Sequence, residues 1–156
     1  MVLYFIIAAA VAAGDQLFKR WIITNIEPYG SMELIPGVVR LTHVHNTGSA
    51  FSMFRNAGWI PAVLSVVLAA AIVVFIVKSR TGRFGKICAG AVLGGAVGNI
   101  LDRVFYGHVV DMFELEFINY PVFNVADCFI VVGVIAFFVY FLFFDGKKAE
   151  KSKADE

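Results

Sequence analysis

The sequence predicts an all-α membrane protein of four transmembrane helices, and three observations carry that expectation. Of its 156 residues 60% are apolar and only 16% charged, and the mean hydropathy of +0.80 is too high for a soluble core of this size. Four apolar segments, 2–23, 59–77, 87–105 and 122–144, approach or exceed the roughly 20 residues that span a bilayer. The basic residues fall on alternate sides of those segments. The link between the second and third carries Lys78, Arg80, Arg83 and Lys86 with no acid, and the tail adds Lys147, Lys148, Lys151 and Lys153. Both therefore read as cytoplasmic, and with four spans both termini share that side. The opposite side holds Lys19, Arg20, Arg40, Arg55 and Arg103, five Lys and Arg against eight.

Residues 1–145 form one membrane domain on this reading, and 146–156, where Lys alternates with Glu and Asp, form a solvated cytoplasmic tail. The first segment is small-residue-rich over Ala8 to Gly14, as a cleaved leader can be. It lacks a basic n-region, however, and its apolar run continues through Leu17-Phe18 and Trp21-Ile22-Ile23, which fits a retained helix. The outer link, 24–58, contains Val38-Val-Arg-Leu-Thr-His-Val-His, where Val39 and Leu41 alternate with Arg40, Thr42 and Val44; this predicts a strand in a small extracytoplasmic β element. Asn46-Thr-Gly-Ser-Ala-Phe follows as a turn, and Phe51 to Phe54 suits the membrane interface. In the third segment Gly90, Gly94 and Gly98 recur every four residues, which permits another helix to approach closely. Cys88 and Cys128 lie near opposite ends of their spans, roughly 15 to 20 Å apart in depth at 1.5 Å per residue, too far for a disulfide.

Charges inside so apolar a chain need a reason, because an aspartate at a membrane-helix centre costs about 2.5 to 3.5 kcal/mol. All of them gather at the outer end. Asp15 and Lys19 are four apart, Asn99, Asp102 and Arg103 share a helical face, and Asn124 and Asp127 are three apart. Asp15 with Lys19, and Asp102 with Arg103, suffice to neutralise one another. Asp111, in the third link, and Asp127, about five residues into the fourth segment, have no obvious cation. Two close carboxyls cannot both ionise cheaply, so they share a proton, and such a pair can activate water with one member while the other donates to a carbonyl. Asn99 and Asn124 are placed to orient them.

Other chemistries lack the residues. His43, His45 and His108 all lie in outer links and no H-E-x-x-H occurs, so a zinc hydrolase is not indicated and no metal ligand is assigned. Ser49 lies in Thr-Gly-Ser-Ala, outside any Gly-x-Ser-x-Gly turn, and there is no phosphate loop. A net charge of +1 gives no basic surface for nucleic acid. An ion-coupled transporter would place its acid near the midplane, and a purely structural subunit would leave the two aspartates unexplained.

Five motifs in order, Asp15-Gln-x-x-Lys19, His45-Asn-x-Gly48-Ser-Ala-Phe51, Gly98-Asn-x-x-Asp102-Arg, Gly107-x-Val-Val-Asp111 and Phe123-Asn-x-Ala-Asp127, resemble those of the lipoprotein signal peptidases, or signal peptidase II family. The resemblance covers about residues 15 to 133. It implies a four-helix aspartic endopeptidase of the bacterial inner or plasma membrane that needs no cofactor and cleaves prolipoproteins before a diacylglyceryl-modified cysteine. It further implies a β cradle and a short surface helix in the outer link, Asp111 and Asp127 as the catalytic pair, and Asp15, Lys19, Asn46, Gly48, Asn99, Asp102, Arg103, Asn124 and Ala126 as residues that bind substrate or support the site. Membrane lipid and prolipoprotein are the expected partners of a monomer. Ser49, where alanine is usual, and Met112, where an aromatic is common, depart from the family pattern.

Overall fold

Each apolar segment forms a helix in the computed structural model, which describes residues 1–48 and 59–145. The helices are α1 (Val2–Asn25), α2 (Trp59–Lys78), α3 (Arg83–Tyr106) and α4 (Val125–Tyr140), and a π-helical turn over Phe141–Asp145 extends α4. Among the described residues four helices are long and apolar enough to cross a membrane. The surface helix expected in the outer link, with Phe51 to Phe54 and Ser49, and the tail 146–156 lie outside the described residues.

The central element is α3, with α1 and α4 packed on it and α2 against its side. Small residues make that position possible. A Cβ on Gly94 would lie 2.5 Å from the Ala8 carbonyl oxygen of α1, and one on Gly95 would lie 2.5 Å from the Ala126 carbonyl oxygen of α4. Backbone therefore meets backbone on two neighbouring flanks of α3, a geometry that dispersion favours in lipid, where the hydrophobic effect does not drive helices together. The glycine stripe read from the sequence is part of this contact; Gly95, outside the stripe, serves the second partner. Most other helix surface is apolar and exposed, as at Val66, Val67, Val132 and Ile135, which suits a face toward lipid.

A three-stranded antiparallel sheet, ordered β1 (Ser31–Ile35), β2 (Val39–Asn46), β3 (Val109–Leu115), covers one end of the bundle. The strand expected from alternation is β2. Of its two partners, β1 lies in the outer link where the β cradle was expected, whereas β3 lies beyond that link and was not anticipated: it has four consecutive buried residues from Val109 to Met112, so it shows no alternation. The sheet is fastened to α1 by Ile22, Ile26, Leu41, Val110 and Met112, which pack as one buried cluster. Met112, fully buried in that cluster, fills the place for which the resemblance led us to expect an aromatic. Arg40 of β2 pairs with Glu116 and, at 4.0 Å, with Glu114, while the Glu116 carboxylate also accepts from the Gly37 N–H at 2.9 Å. The hairpin turn is thus tied to β3.

Two caps carry the chain between helix and sheet. Gly107 ends α3 in the left-handed conformation, φ 75°, with its N–H on the Arg103 carbonyl at 3.2 Å, so the chain turns directly into β3. Asn124 starts α4 by a reciprocal capping box with Asp127. The fourth helix therefore begins at Val125, later than the apolar run that starts at residue 122, and Asp127 sits in its first turn rather than about five residues inside.

The close contacts predict opposite outcomes for two glycines. Gly94→Ala should destabilise the protein by about 1–3 kcal/mol through overpacking, whereas Gly14→Ala, with nothing within 4 Å of the new methyl, should leave stability unchanged or slightly raised. Thermal unfolding of both variants in one detergent measures the difference; equal midpoints would contradict the packing described.

Candidate active site

The first layer of the site is a buried ion triplet between α1 and α3. The Lys19 ammonium lies 2.8 Å from Asp15 Oδ2 and 2.8 Å from Asp102 Oδ2, and both carboxylates are fully buried. Asp15 and Lys19 pair as read from their spacing. Asp102 does not pair with its sequence neighbour: it faces Lys19, because adjacent residues on a helix point about 100° apart. Arg103 instead donates to the carbonyls of Asn99, at 3.3 Å, and Gly48, at 3.4 Å. Gln16, which sequence reasoning did not single out as a site residue, donates to Asp102 Oδ1 at 2.7 Å and to the Gly98 carbonyl at 3.1 Å. Its position three before Lys19 was the available signal.

The triplet also gathers the neighbouring elements. Asp15 Oδ1 accepts from the Ala126 N–H at 2.9 Å, joining α1 to the start of α4, and Asp102 Oδ2 accepts from the Val110 N–H at 3.0 Å, joining α3 to β3. Ala126 is completely buried and its methyl faces Gly98 of α3, where an added Cβ would lie 3.5 Å away.

Two asparagines form the next layer. Asn99 Oδ1 accepts from Lys19 Nζ at 3.0 Å and from Asn124 Nδ2 at 3.1 Å, while Asn99 Nδ2 donates to Asp127 Oδ1 at 2.8 Å. Asn124 Nδ2 donates also to Asp111 Oδ1 at 2.6 Å, and its Oδ1 accepts the Asp127 N–H at 2.9 Å. Asn46, at the end of β2, donates to Asp111 Oδ2 at 2.8 Å and turns the chain by accepting the Gly48 N–H at 3.0 Å. All eleven residues singled out from the sequence therefore meet in one network. The structure brings Asp111, on β3, to Asp127, on α4, through a single asparagine.

Both acids line a cavity of about 470 Å³. Asn46, Asn99, Arg103 and Asn124 supply its polar wall, and Val44, Val109, Val122, Ile130 and Val131 its apolar wall. Asp111 is 2% exposed, and its carboxyl is pushed up to about 7, chiefly by burial; hydrogen bonds from Asn46 and Asn124 oppose this and the Asp127 charge reinforces it. A proton on Asp111 is therefore available near neutral pH. The apolar wall was not legible as a site, since its valines and isoleucine look like any membrane residues.

The histidines take a separate position at the cavity edge. His43 Nδ1 donates to the Ile26 carbonyl at 2.8 Å, His43 Nε2 lies 3.2 Å from His45 Nε2, and His45 stacks on His108 with centroids 3.9 Å apart. Burial first, then the neighbouring His108 and His43, lowers the His45 pKa. No three His, Cys, Asp or Glu side chains among the described residues form a metal site. Cys88 and Cys128 are free thiols.

Comparisons with known proteins identify the family. A family model described as signal peptidase (SPase) II matches residues 7–143. The lipoprotein signal peptidase of Latilactobacillus sakei is 40% identical over 91% of this chain and 95% of its own length, and that of Enterococcus faecalis is 39% identical over 98% and 95%. A bacterial membrane enzyme solved by the in meso method at 2.3 Å resolution superposes with a TM-score of 0.85 at 28% identity, covering 91% of this chain and 88% of that one. A match running from the first helix to the fourth, through every element of the asparagine and carboxyl network, makes this chain a member of the signal peptidase II family of peptidases.

Proposed function

We propose that the protein is an intramembrane aspartic endopeptidase that removes signal peptides from bacterial prolipoproteins, cleaving on the N-terminal side of a diacylglyceryl-modified cysteine. The observation that carries the catalytic type is the sharing of one asparagine by two carboxyls: Asn124 donates to Asp111 and caps the helix turn that holds Asp127. Both open onto the same cavity.

In this reading Asp127 is the base and Asp111 the acid. Asp127 stands in the first turn of α4, a position that suits an anion because free N–H groups point toward it, and it is more open to the cavity than Asp111. It takes a proton from water as the water oxygen bonds to the scissile carbonyl carbon. Protonated Asp111 donates to the carbonyl oxygen, so the tetrahedral intermediate forms without a full oxyanion. Asp111 then recovers that proton as the carbonyl re-forms, Asp127 gives its proton to the departing nitrogen, and the C–N bond breaks. Both acids return to their starting states. Water is the only co-reactant, and no metal or organic cofactor is involved.

The location of the pair fits the substrate. A signal helix lying in the bilayer, followed by a cysteine anchored through diacylglycerol, presents its scissile bond near the membrane surface. The acids stand at the end of the bundle covered by the sheet, and the basic α2–α3 link lies at the other end. With that link cytoplasmic, both termini are cytoplasmic and the site faces outward in the inner or plasma membrane. The network closes within one chain, so the site needs no residue from a second copy.

Three measurements with a diacylglyceryl-modified prolipoprotein and the purified protein check this. Asp111→Asn and Asp127→Asn should each lower kcat by on the order of 10² to 10⁴ with membrane insertion intact, and chelators should have no effect; turnover retained by both variants would sink the mechanism. The pH dependence follows from Asp111. Its folded carboxyl is raised, so the required proton is present below pH of about 7 and lost above it; kcat/KM should fall about tenfold per pH unit on the alkaline side. A profile flat through pH 9, roughly two units beyond that point, would show that Asp111 is not the acid.

A further inference from the structure

We propose that Lys19 is a positioning residue for the carboxyl pair: by donating to Asn99 Oδ1 it fixes which end of the Asn99 amide faces Asp127. This rests on the aspartic reading above and goes beyond it, because Lys19 hydrogen-bonds to neither acid of the pair, reaches Asp111 directly only through its charge, and lies behind both in the α1–α3 interface.

The inference follows from donor and acceptor chemistry. An ammonium has three N–H donors and no lone pair, a carboxylate accepts, and an amide has one end of each kind. Lys19 spends its three contacts on Asp15, Asp102 and Asn99 Oδ1, at 2.8, 2.8 and 3.0 Å. With its oxygen held there, Asn99 must turn its NH₂ to Asp127, which it meets at 2.8 Å. The reverse orientation would set an amide NH₂ against an ammonium and an amide oxygen against a carboxylate, two repulsive contacts. Asn124 reinforces the same sense, since its own oxygen is held by the Asp127 N–H and its NH₂ donates to Asn99 Oδ1 and Asp111 Oδ1. Lys19 and the Asp127 N–H thus orient the Asn99 and Asn124 amides in one consistent sense, while Asn46, the remaining donor to Asp111, is oriented separately by the Gly48 N–H. Asp15 and Asp102 hold that group in place, each anchored by a backbone N–H, from Ala126 and Val110 respectively.

A residue that acts through Asn99 loses its influence once the Asn99 amide is gone, and a double-mutant cycle detects this. The first arm neutralises the triplet as a unit, Lys19→Met with Asp15→Asn and Asp102→Asn, so that no charge is stranded and the backbone N–H groups keep acceptors. The second arm is Asn99→Leu, and the third combines them. Turnover of the diacylglyceryl-modified prolipoprotein is measured, with thermal stability in the same detergent. The relay predicts that each arm lowers kcat by about 10² with KM little changed, and that the combination falls no further than the lower arm. Parent-like kcat in the folded triplet variant, or losses that multiply, would overturn it and leave Lys19 a purely structural residue. Should the triplet variant fail to accumulate in membranes, Lys19→Leu with Asp15→Asn and Asp102→Asn, likewise free of stranded charge and of a donor to Asn99, takes its place in the cycle with the same two outcomes. Asp111→Asn and Asp127→Asn run alongside: activity in both would refute the aspartic reading itself, whereas their loss together with multiplying arms would refute only the relay.

Discussion

The Lys19 ammonium is the contact on which the rest of the molecule depends. It is 2% exposed, inside a bundle whose outer surface is apolar, and a cation there is stable only when surrounded by acceptors. Two carboxylates and an amide oxygen meet that need. Removing the lysine alone would strand two buried carboxylates, a loss of about 3–5 kcal/mol by analogy with other buried pairs. The arrangement also determines register. Asp15 can reach Ala126, and Asp102 can reach Val110, only when α1, α3, α4 and β3 stand at one relative height. Glycines on two flanks of α3 then allow the backbones to close to that distance.

From this register the geometry of the carboxyl pair follows. Asp111 comes from a strand and Asp127 from a helix, so their approach depends on how the sheet is set on the bundle. The packing of Ile22 and Ile26 against Leu41, Val110 and Met112 holds the sheet down, and the Asp102 bond to Val110 pins the strand one residue from Asp111. Four carboxyls, of Asp15, Asp102, Asp111 and Asp127, and two cations, Lys19 and Arg103, share the site network, and the surplus of acids favours a proton on one of them. Asp111 is the deeply buried member that faces the cavity, and its carboxyl is accordingly the one raised to about 7.

The parts of this structure that were legible in the sequence are those with a one-dimensional signature. Four spans showed as apolar runs, β2 as alternation, and the paired acids as aspartates without a neighbouring cation. What depended on three-dimensional closure was less visible. β3 is buried on both faces and carries no alternation, so Asp111 read as a link residue. Asp102 stands beside Arg103 in the chain, and only helical geometry turns it toward Lys19. Gln16 stood in the first motif without an assigned role, and the apolar cavity wall of Ile130 and Val131 could not be told from lipid-facing surface. The start of α4 was placed early for a related reason: hydropathy counts Val122 to Asn124 in the apolar run, whereas the helix begins where Asn124 can cap it.

That cap links folding to the proposed chemistry. Asp127 Oδ2 accepts the Asn124 N–H at 3.3 Å to complete the capping box, while Oδ1 accepts from Asn99 at the much shorter 2.8 Å. One carboxylate therefore serves as a helix cap, a partner of the α3 amide and a wall of the cavity. In a helix centre such a group would have to be dehydrated to be held rigidly. At a helix start, free N–H groups and a side-chain cap hold it while one side stays open to the cavity. Water and a bilayer-anchored peptide can meet the acid there without opening the hydrophobic bundle, and the interactions that fix the acid are the same ones that begin the fourth helix.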